Sequence, residues 1–283
     1  MSTPVPDVAH CRVLLFTPGS RPDRFAKAAA TGADGLILDL EDAVSLPGKD
    51  EARATLVEHF RAGHRRGLVP GQVCGLRVNN IHTSAGVRDL DALAAAGIAP
   101  DFVVLPKVES AFEARLYARH LPEIPLVCTI ESARGLESAM EIAHADARVR
   151  ALAFGGVDLA ADLRAELAWE PLLYGRARLV QAAASAGLGL LDVPHLALDD
   201  EAALAGECAR VKALGFTGKL AIHPKQVAPI LQAFTPTAAE IDRAARMVAA
   251  LEAADGNAVE FEGKMLEGPV VRSARRMLAL ARR

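Results

Sequence analysis

The stretch that decides the fold is GADGLILDLEDAV, residues 32–44, in which a short apolar run leads directly into Asp39, Glu41 and Asp42. An apolar run without alternation is typical of a strand buried on both faces, as in a parallel sheet covered by helices. Similar runs recur along the chain and predict eight strands. They are residues 12–17, 35–39, 73–78, 102–105, 126–130, 151–154, 188–191 and 219–222.

Ala-rich segments with helical spacing separate these runs, and they predict helices at residues 22–31, 49–65, 110–120, 134–144, 172–186 and 201–214. Eight strands alternating with helices predict one (β/α)8 barrel, the TIM barrel. An open, doubly wound sheet would carry the same alternation. We expect a catalytic barrel over residues 1–235. The tail, residues 236–283, is expected to be a C-terminal helical extension or lid, with helices at 238–254 and from 269 onward.

Composition limits the classes of partner and the compartment. The chain of 283 residues has a formal net charge of −3, so no global basic field favours nucleic acid or an anionic membrane. No apolar stretch reaches the roughly 20 residues needed to span a bilayer. The N-terminus lacks a charged segment followed by a long apolar run, so we expect a soluble, cytoplasmic protein. Four widely spaced cysteines show no pairing typical of a zinc site or a disulfide framework.

Polar residues follow six of the predicted strands. In a barrel the carboxyl ends of all strands lie on one face, so these residues are expected to converge. Each acidic residue alone could instead cap the following helix. Clustered carboxylates repel one another unless a cation offsets them, and hard oxygen ligands without Cys or His favour Mg²⁺. The residues are Asp39, Glu41, Asp42, Arg77, Asn79, Lys107, Glu109, Glu131, Asp158, His223 and Lys225.

These strand ends also carry a resemblance. The segments are LLFTPGSRPDRFAKAAATGADGLILDLEDAV (14–44), LRVNN (76–80), VVLPKVES (103–110), TIESARG (129–135), AFGGVDLAADL (153–163) and GFTGKLAIHPKQV (215–227). Together they resemble the citrate lyase beta-subunit-like branch of the HpcH/HpaI aldolase superfamily, over nearly the whole chain and in order. The resemblance implies a homotrimer or a dimer of trimers that acts on CoA or acyl-carrier thioesters, such as malyl, citramalyl or citryl thioesters.

By its motifs the resemblance implies that Glu131 and Asp158 bind Mg²⁺ directly. Asp39, Glu41 and Asp42 would lie outside that shell and hold metal-bound waters, and Asp39 and Glu41 are counted among the candidate catalytic residues. The predicted reaction is Mg²⁺-dependent cleavage or formation of a 3-hydroxyacyl thioester, which yields a 2-oxo acid such as oxaloacetate and an acetyl thioester.

The residues themselves suggest how substrate is bound. The turn Gly155, Gly156, Val157, Asp158 offers backbone N–H groups at a predicted helix start, which suits an oxo-acid carboxylate. A plain tight turn is the alternative. Arg77, in the LRVNN motif of the resemblance, is expected to bind substrate and to direct its guanidinium at the reacting oxygens. The alternative is a structural ion pair with the nearby acidic residues.

Three basic residues, Arg21, Arg24 and Lys27, begin the first predicted helix and are expected to bind the phosphates of CoA. The alternative is a solvated basic helix face. Lys107 and Glu109 are expected to support the site rather than to react. His223 is expected to begin a helix, because Pro224 follows it.

The tail segment KMLEGPVV, residues 264–271, resembles a family segment in which an Asp usually precedes the proline by two residues, and here Glu267 stands in that place. In the family this carboxylate is thought to enter the active site of a neighbouring subunit as a general acid or base. Glu267 is therefore a further candidate catalytic residue, with a reach one methylene longer. An exposed residue before a helix is the alternative.

Three other functions remain open on the sequence alone. One is a metal-dependent aldolase acting on free hydroxy-oxo acids, and another is phosphoenolpyruvate chemistry on a related barrel. The third is a non-catalytic homologue that binds an oxo acid or CoA.

Overall fold

The computed structural model describes residues 7–65 and 67–281, and within these ranges the chain forms a closed barrel of eight parallel strands. Each strand pairs with the next in sequence, and the eighth pairs with the first. The predicted TIM barrel is therefore confirmed. The strands are β1 (Val13–Pro18), β2 (Gly35–Asp39), β3 (Val73–Arg77), β4 (Val103–Leu105), β5 (Leu126–Ile130), β6 (Val149–Phe154), β7 (Gly189–Asp192) and β8 (Gly218–Ala221).

Helices cover the outside of the barrel. Those that precede residue 235 in the described part of the chain are α1 (Phe25–Ala29), α2 (Lys49–Arg61), α3 (Ser84–Ala96), α4 (Ala111–His120), α5 (Ala133–Glu137), α6 (Ala139–Ala143), α7 (Gly156–Asp162), α8 (Trp169–Ala186), α9 (Glu201–Leu214) and α10 (Val227–Phe234).

Two apolar layers hold the barrel together. Leu14 and Ile37 lie in the cluster that fills the barrel interior, whereas Leu36 and Leu38 lie in the cluster between strands and helices. This explains why the strands are apolar without alternation. The interior is tightly packed, because a Cβ at Gly75 would lie only 2.4 Å from the Phe102 ring. Position 75 therefore has no space for a side chain beside that ring.

The helix predictions were partly wrong. The predicted helix 134–144 is broken at Ser138 into α5 and α6, and the predicted helix 22–31 is a 3₁₀ turn, Pro22–Arg24, followed by the short α1. We did not predict α3, although Thr83 caps its first turn and Gly97 ends it in a left-handed conformation. Both caps are recognisable signals in the sequence, and the residues buried between them, Gly86, Asp89, Leu90 and Leu93, follow helical spacing. This helix could therefore have been predicted.

The chain divides into two compact units between Phe234 and Thr235. The second unit contains α11 (Ala238–Ala253), a hairpin of β9 (Val259–Phe261) and β10 (Lys264–Leu266), and α12 (Gly268–Ala281). It has an apolar core of its own, in which Met247, Leu251 and Val271 are buried. A reciprocal capping box between Thr237 and Glu240 fixes the start of α11. We had not predicted the hairpin.

All four cysteines, Cys11, Cys74, Cys128 and Cys208, are buried as free thiols. Across the described residues, no helix has both the length and the apolar character that crossing a membrane would require.

Candidate active site

The carboxyl ends of β2 to β6 bring together several of the residues predicted from the sequence. Asp39 ends β2 and Arg77 ends β3, and the two are register partners in the sheet. Glu131 follows β5, and Asp158 lies in the first turn of α7, after β6. Lys107, which follows β4, joins them. We call Glu41, Lys107, Glu131 and Asp158 the carboxylate cluster.

Asp39 and Arg77 form a two-pronged ion pair. Arg77 Nε and Nη2 each donate to one oxygen of Asp39 at 2.7 Å. Asp39 is completely buried, and it also accepts from the backbone N–H groups of Glu41 and Ala43. Both oxygens of Asp39 are thus engaged by protein donors, and this arrangement holds Arg77 in position. The catalytic role expected for Asp39 stays a prediction.

The remaining nitrogen of Arg77 lies near two further carboxylates. Arg77 Nη1 lies 2.9 Å from Glu41 Oε2 and 3.5 Å from Asp42 Oδ2, and the guanidinium stacks over the Phe16 ring at 4.6 Å. Burial alone would lower the pKa of Arg77, but the hydrogen bonds and charge of Asp39, together with the other carboxylates, raise it. Arg77 thus remains a cation held in one orientation.

Glu41 is buried, and its two oxygens differ. Oε1 accepts a hydrogen bond of 2.8 Å from Lys107 Nζ. Oε2 is close to Arg77 Nη1, yet this contact is poorly directed and leaves Oε2 buried without a hydrogen bond. Burial raises the pKa of Glu41 despite the two neighbouring cations. Lys49 Nζ fixes the backbone here, since it donates to the carbonyls of Leu40 and Glu41. Glu41 Oε2 thus has an ion-pair partner but no hydrogen bond, and it retains capacity to accept one.

Lys107 reaches the cluster with both its backbone and its side chain. Its φ is 52°, a left-handed conformation that non-glycine residues seldom adopt. In this conformation its N–H donates to Glu131 Oε1 at 2.8 Å. Its ammonium lies 2.8 Å from Glu41 Oε1 and 3.8 Å from Asp158 Oδ1. We had expected Lys107 only to support the site, and its sequence context, a lysine after a proline, gave no signal of this central position.

Glu131 is 6% exposed, and its pKa is raised to about 7, first by burial and then by the charge of Glu41, with a further contribution from Asp158. It packs tightly against the β6 turn, because a Cβ at Gly155 would lie 2.4 Å from Glu131 Oε2. The Asp158 side chain is 45% exposed. The Glu131 carboxylate is thus tightly packed and repelled by neighbouring carboxylates, whereas the Asp158 carboxylate is accessible.

This donor set fits a hard divalent cation. Within residues 7–65 and 67–281, no group of three or more His, Cys, Asp and Glu side chains is arranged to enclose a metal. Mg²⁺ does not require one, since it is usually held by one or two carboxylates together with substrate oxygens and waters. A cation between Glu131 and Asp158 would also relieve the repulsion that raises the Glu131 pKa.

The turn at residues 155–158 has the predicted form. Gly155 precedes α7, and its N–H donates to the carbonyl of Ile130 at 3.0 Å. The N–H groups of Gly156, Val157 and Asp158 belong to the first turn of α7, where N–H groups have no partner within the helix. These N–H groups follow Gly155, the residue that packs against Glu131. Their predicted role in binding an oxo-acid carboxylate stays a prediction.

The basic residues of the first loop lie on the surface. Arg21, Arg24 and Lys27 are all exposed. Arg21 is already paired, because its Nε and Nη2 donate to Asp23 at 2.8 and 2.7 Å. The phosphate-binding role of all three residues stays a prediction, and Arg21 would have to exchange Asp23 for a phosphate.

Two further residues were singled out from the sequence. Glu267 belongs to the second compact unit, where it is exposed between β10 and α12, and its backbone carbonyl accepts from Val271 N–H at 3.1 Å. His223 caps the 3₁₀ turn Pro224–Gln226, and its Nδ1 accepts from Lys225 N–H. The structural role expected for His223 is confirmed.

Comparison with known proteins identifies the family of the chain. Residues 12–224 match the family model of HpcH/HpaI aldolase/citrate lyase. The citrate lyase subunit beta of Escherichia coli is 35% identical, over 95% of this chain and 93% of that protein, and a (3S)-malyl-CoA thioesterase of Cereibacter sphaeroides is 36% identical, over 95% and 94%. The crystal structure of CitE from Mycobacterium tuberculosis in complex with magnesium, acetoacetate and coenzyme A superposes with a TM-score of 0.82 at 34% identity, covering 98% of this chain and all of that one. The chain therefore belongs to the HpcH/HpaI aldolase/citrate lyase family.

Proposed function

We propose that this protein is a Mg²⁺-dependent carbon–carbon lyase that cleaves, or in reverse forms, a 3-hydroxyacyl thioester such as citryl-, malyl- or citramalyl-CoA. The products of cleavage would be a 2-oxo acid and an acetyl thioester. The observation that carries the proposal is the convergence of Glu131 and Asp158 with Arg77 and Lys107 at the carboxyl end of the barrel. The related CitE, crystallised with magnesium, acetoacetate and coenzyme A, supports this class of ligands.

In this proposal Glu131 and Asp158 hold the ion. When bound, Mg²⁺ would make the substrate hydroxyl more acidic and offset the charge of the adjacent carboxylate. The first-turn N–H groups of Gly156 and Val157 would orient that carboxylate through hydrogen bonds. Glu131 cannot move aside, because Gly155 and the N–H of Lys107 pack against it.

Arg77 would stabilise the charge that develops as the carbon–carbon bond breaks. The hydroxyl loses its proton to a base, its oxygen becomes the carbonyl of the oxo acid, and the electrons of the broken bond move onto the thioester as an enolate. Arg77 Nη1 would face that enolate oxygen, while Asp39 holds the other two nitrogens in place. Protonation of the enolate carbon then yields the acetyl thioester.

Two carboxylates are candidates for the proton transfer. Glu41 offers Oε2, the buried oxygen without a hydrogen bond. Glu267, exposed at the start of α12, is the second candidate, and in the resemblance that residue acts from a neighbouring subunit. We accordingly propose a homotrimer or a dimer of trimers. Four free, buried thiols fit a reducing compartment, and we propose the cytoplasm.

The thioester carrier is proposed to be CoA or an acyl-carrier protein. Arg24 and Lys27, on the surface after β1, would contact its phosphates. Charge-assisted hydrogen bonds of this kind position a carrier without taking part in the reaction.

A product assay tests the proposal. The protein is incubated with malyl-, citramalyl- and citryl-CoA, with Mg²⁺ or with a chelator, and the products are separated chromatographically. We expect Mg²⁺-dependent release of a 2-oxo acid and acetyl-CoA in equal amounts. Release of free CoA with the intact hydroxy acid would instead identify a thioesterase, the activity named for the Cereibacter sphaeroides relative.

Two further results would reject the lyase. Cleavage of free hydroxy-oxo acids but not of their thioesters would indicate an aldolase. Binding of oxo acid and CoA without turnover of any thioester would indicate a non-catalytic homologue. Glu131→Gln serves as the control, because it keeps the volume of the side chain and removes a ligand charge.

A further inference from the structure

Lys107 has a position that the proposed reaction does not explain. It adopts a left-handed backbone conformation, which costs energy in any residue with a side chain. Three hydrogen bonds hold it there: its N–H donates to Glu131, its ammonium donates to Glu41, and its carbonyl accepts from Asn80 Nδ2 at 3.2 Å. The surrounding structure thus fixes a cation among the carboxylates before any metal ion binds.

The carboxylates around Lys107 are not held equally. Glu41 is 9% exposed and makes a direct hydrogen bond to the ammonium at 2.8 Å. Asp158 is 45% exposed and lies at 3.8 Å, within ion-pair distance but beyond a hydrogen bond. Lys107 is therefore anchored by Glu41, and Asp158 can turn from the ammonium towards a bound ion at little cost.

Arg77, the other cation of the site, does not balance the charge of Asp158. Arg77 is committed to Asp39 through two nitrogens, and its third contacts Glu41. Among the described residues, Lys107 is the basic side chain within ion-pair distance of Asp158. The charge that balances Asp158 in the protein alone is accordingly that of Lys107.

We propose that Lys107 is a resident counter-charge: its ammonium holds Glu41 and Asp158 in place before a divalent cation binds, and it weakens the binding of that cation afterwards. The inference rests on the proposed function, because it takes Glu131 and Asp158 to be the metal ligands. Lys107 is thus a positioning residue that sets metal affinity, so that the ion binds reversibly.

The test is a calorimetric titration with Mg²⁺ alone, without substrate, at a pH near 8.5. Lys107→Met removes the charge and keeps most of the side-chain volume. We expect it to bind Mg²⁺ roughly tenfold more tightly, because a like charge near the ion is lost. The same variant should unfold at a lower temperature than the unaltered protein without metal, and Mg²⁺ should raise its unfolding temperature by more.

Two control variants separate charge from structure. Lys107→Arg keeps the cation and the same backbone demand, and it should bind Mg²⁺ as the unaltered protein does. Lys264→Met removes an exposed lysine of the second unit and should change neither measurement. If Lys107→Met does not fold, Lys107→Gln replaces it, since Gln can donate to Glu41 without carrying charge.

Each remaining outcome decides against the inference. Unchanged or weaker Mg²⁺ affinity in a folded Lys107→Met or Lys107→Gln would overturn the counter-charge while leaving the proposed function intact. Absence of Mg²⁺ binding by the unaltered protein would overturn the metal-dependent function itself, and the counter-charge with it.

Discussion

Two ionic clusters lie at neighbouring parts of the same barrel, and they are balanced differently. The first is the carboxylate cluster with its partners Asp39 and Arg77, in which four carboxylates face two basic side chains. The second lies where β7 and β8 pack against α8 and α9. There the carboxylates of Asp192 and Glu207 are paired with the basic side chains of Lys219 and Arg176. The second cluster has equal numbers of carboxylates and basic side chains, whereas the first has an excess of negative charge at the carboxyl end of the barrel.

The two clusters also differ in the surroundings of their lysines and carboxylates. Lys219 is fully buried and donates to Asp192, to Glu207 and to the carbonyl of Val193. It therefore satisfies all three of its donors within the protein. In the carboxylate cluster, Glu41 Oε2 is left without a hydrogen bond, and Asp158 is almost half exposed. The second cluster also has a buried nitrogen without a hydrogen bond, Arg176 Nη1, so the two clusters differ in charge balance and exposure rather than in the completeness of their hydrogen bonding.

The largest expected effect is loss of activity in the carboxylate cluster without loss of folding. Glu131→Gln and Asp158→Asn should each abolish detectable turnover and weaken Mg²⁺ binding, because each removes a ligand charge. Without metal, Glu131→Gln should leave the free energy of unfolding unchanged or raised, since like-charge repulsion is relieved. Calorimetry and urea unfolding measure the two quantities. Unchanged Mg²⁺ affinity in both variants would overturn the metal assignment.

The balanced cluster should show the opposite behaviour. Lys219→Met leaves the buried Asp192 with Arg176 as its cation and leaves Asp192 and Glu207 short of one positive charge. We expect a loss of about 3–5 kcal/mol in the free energy of unfolding. The matched control, Lys225→Met, breaks only an exposed pair with Asp199 and should cost under about 1 kcal/mol. If Lys219→Met unfolded at the same urea concentration as the control, the contrast between the clusters would fail.

Variants of Arg77 and Asp39 test whether Arg77 takes part in the chemical step or only binds substrate. Arg77→Lys cannot reproduce the fork held by Asp39, and we expect kcat to fall by about 100-fold with a smaller change in KM. Asp39→Asn should lower kcat in the same direction if Asp39 acts by orienting Arg77. A change in KM alone would make Arg77 a binding residue.

Glu267 is expected to have an intermediate effect that depends on substrate. Glu267→Ala should lower thioester cleavage if this carboxylate transfers a proton, and Glu267→Asp should improve cleavage of the short malyl thioester relative to larger ones. The reason is reach, since proton transfer requires hydrogen-bond distance and Glu is one methylene longer than Asp. Steady-state rates over a panel of thioesters measure both effects. Full activity of Glu267→Ala would remove Glu267 from the catalytic residues.

The smallest effect is expected at the surface. Replacing Arg21, Arg24 and Lys27 together with Ala should weaken CoA-thioester binding by several-fold and leave oxo-acid binding unchanged. Most of the loss should come from Arg24 and Lys27, because Arg21 is paired with Asp23. Separate titrations of the two ligands measure this, and equal weakening of both would indicate structural damage.

The sequence was most informative where a residue is decided by its neighbours along the chain. The strands at 35–39 and 126–130 were predicted to the residue, because uninterrupted apolar runs bounded by charge are a local signal. The break between α5 and α6 was missed, because Ser138 interrupts the helix without a capping hydrogen bond that the sequence would reveal. The start of α3 was missed although Thr83 caps it locally.

The sequence by itself determined the barrel, the family and the face on which the chemical groups gather, because hydrophobic periodicity and the order of strand ends are properties of the chain. Only the tertiary structure decided which of those side chains pair with one another and which remain accessible. It turned Asp39 inward to hold Arg77, and it placed Lys107 among the carboxylates of three different loops. Such roles depend on distances of 3–4 Å between residues far apart in sequence, and side-chain charge is balanced only once the strands have closed.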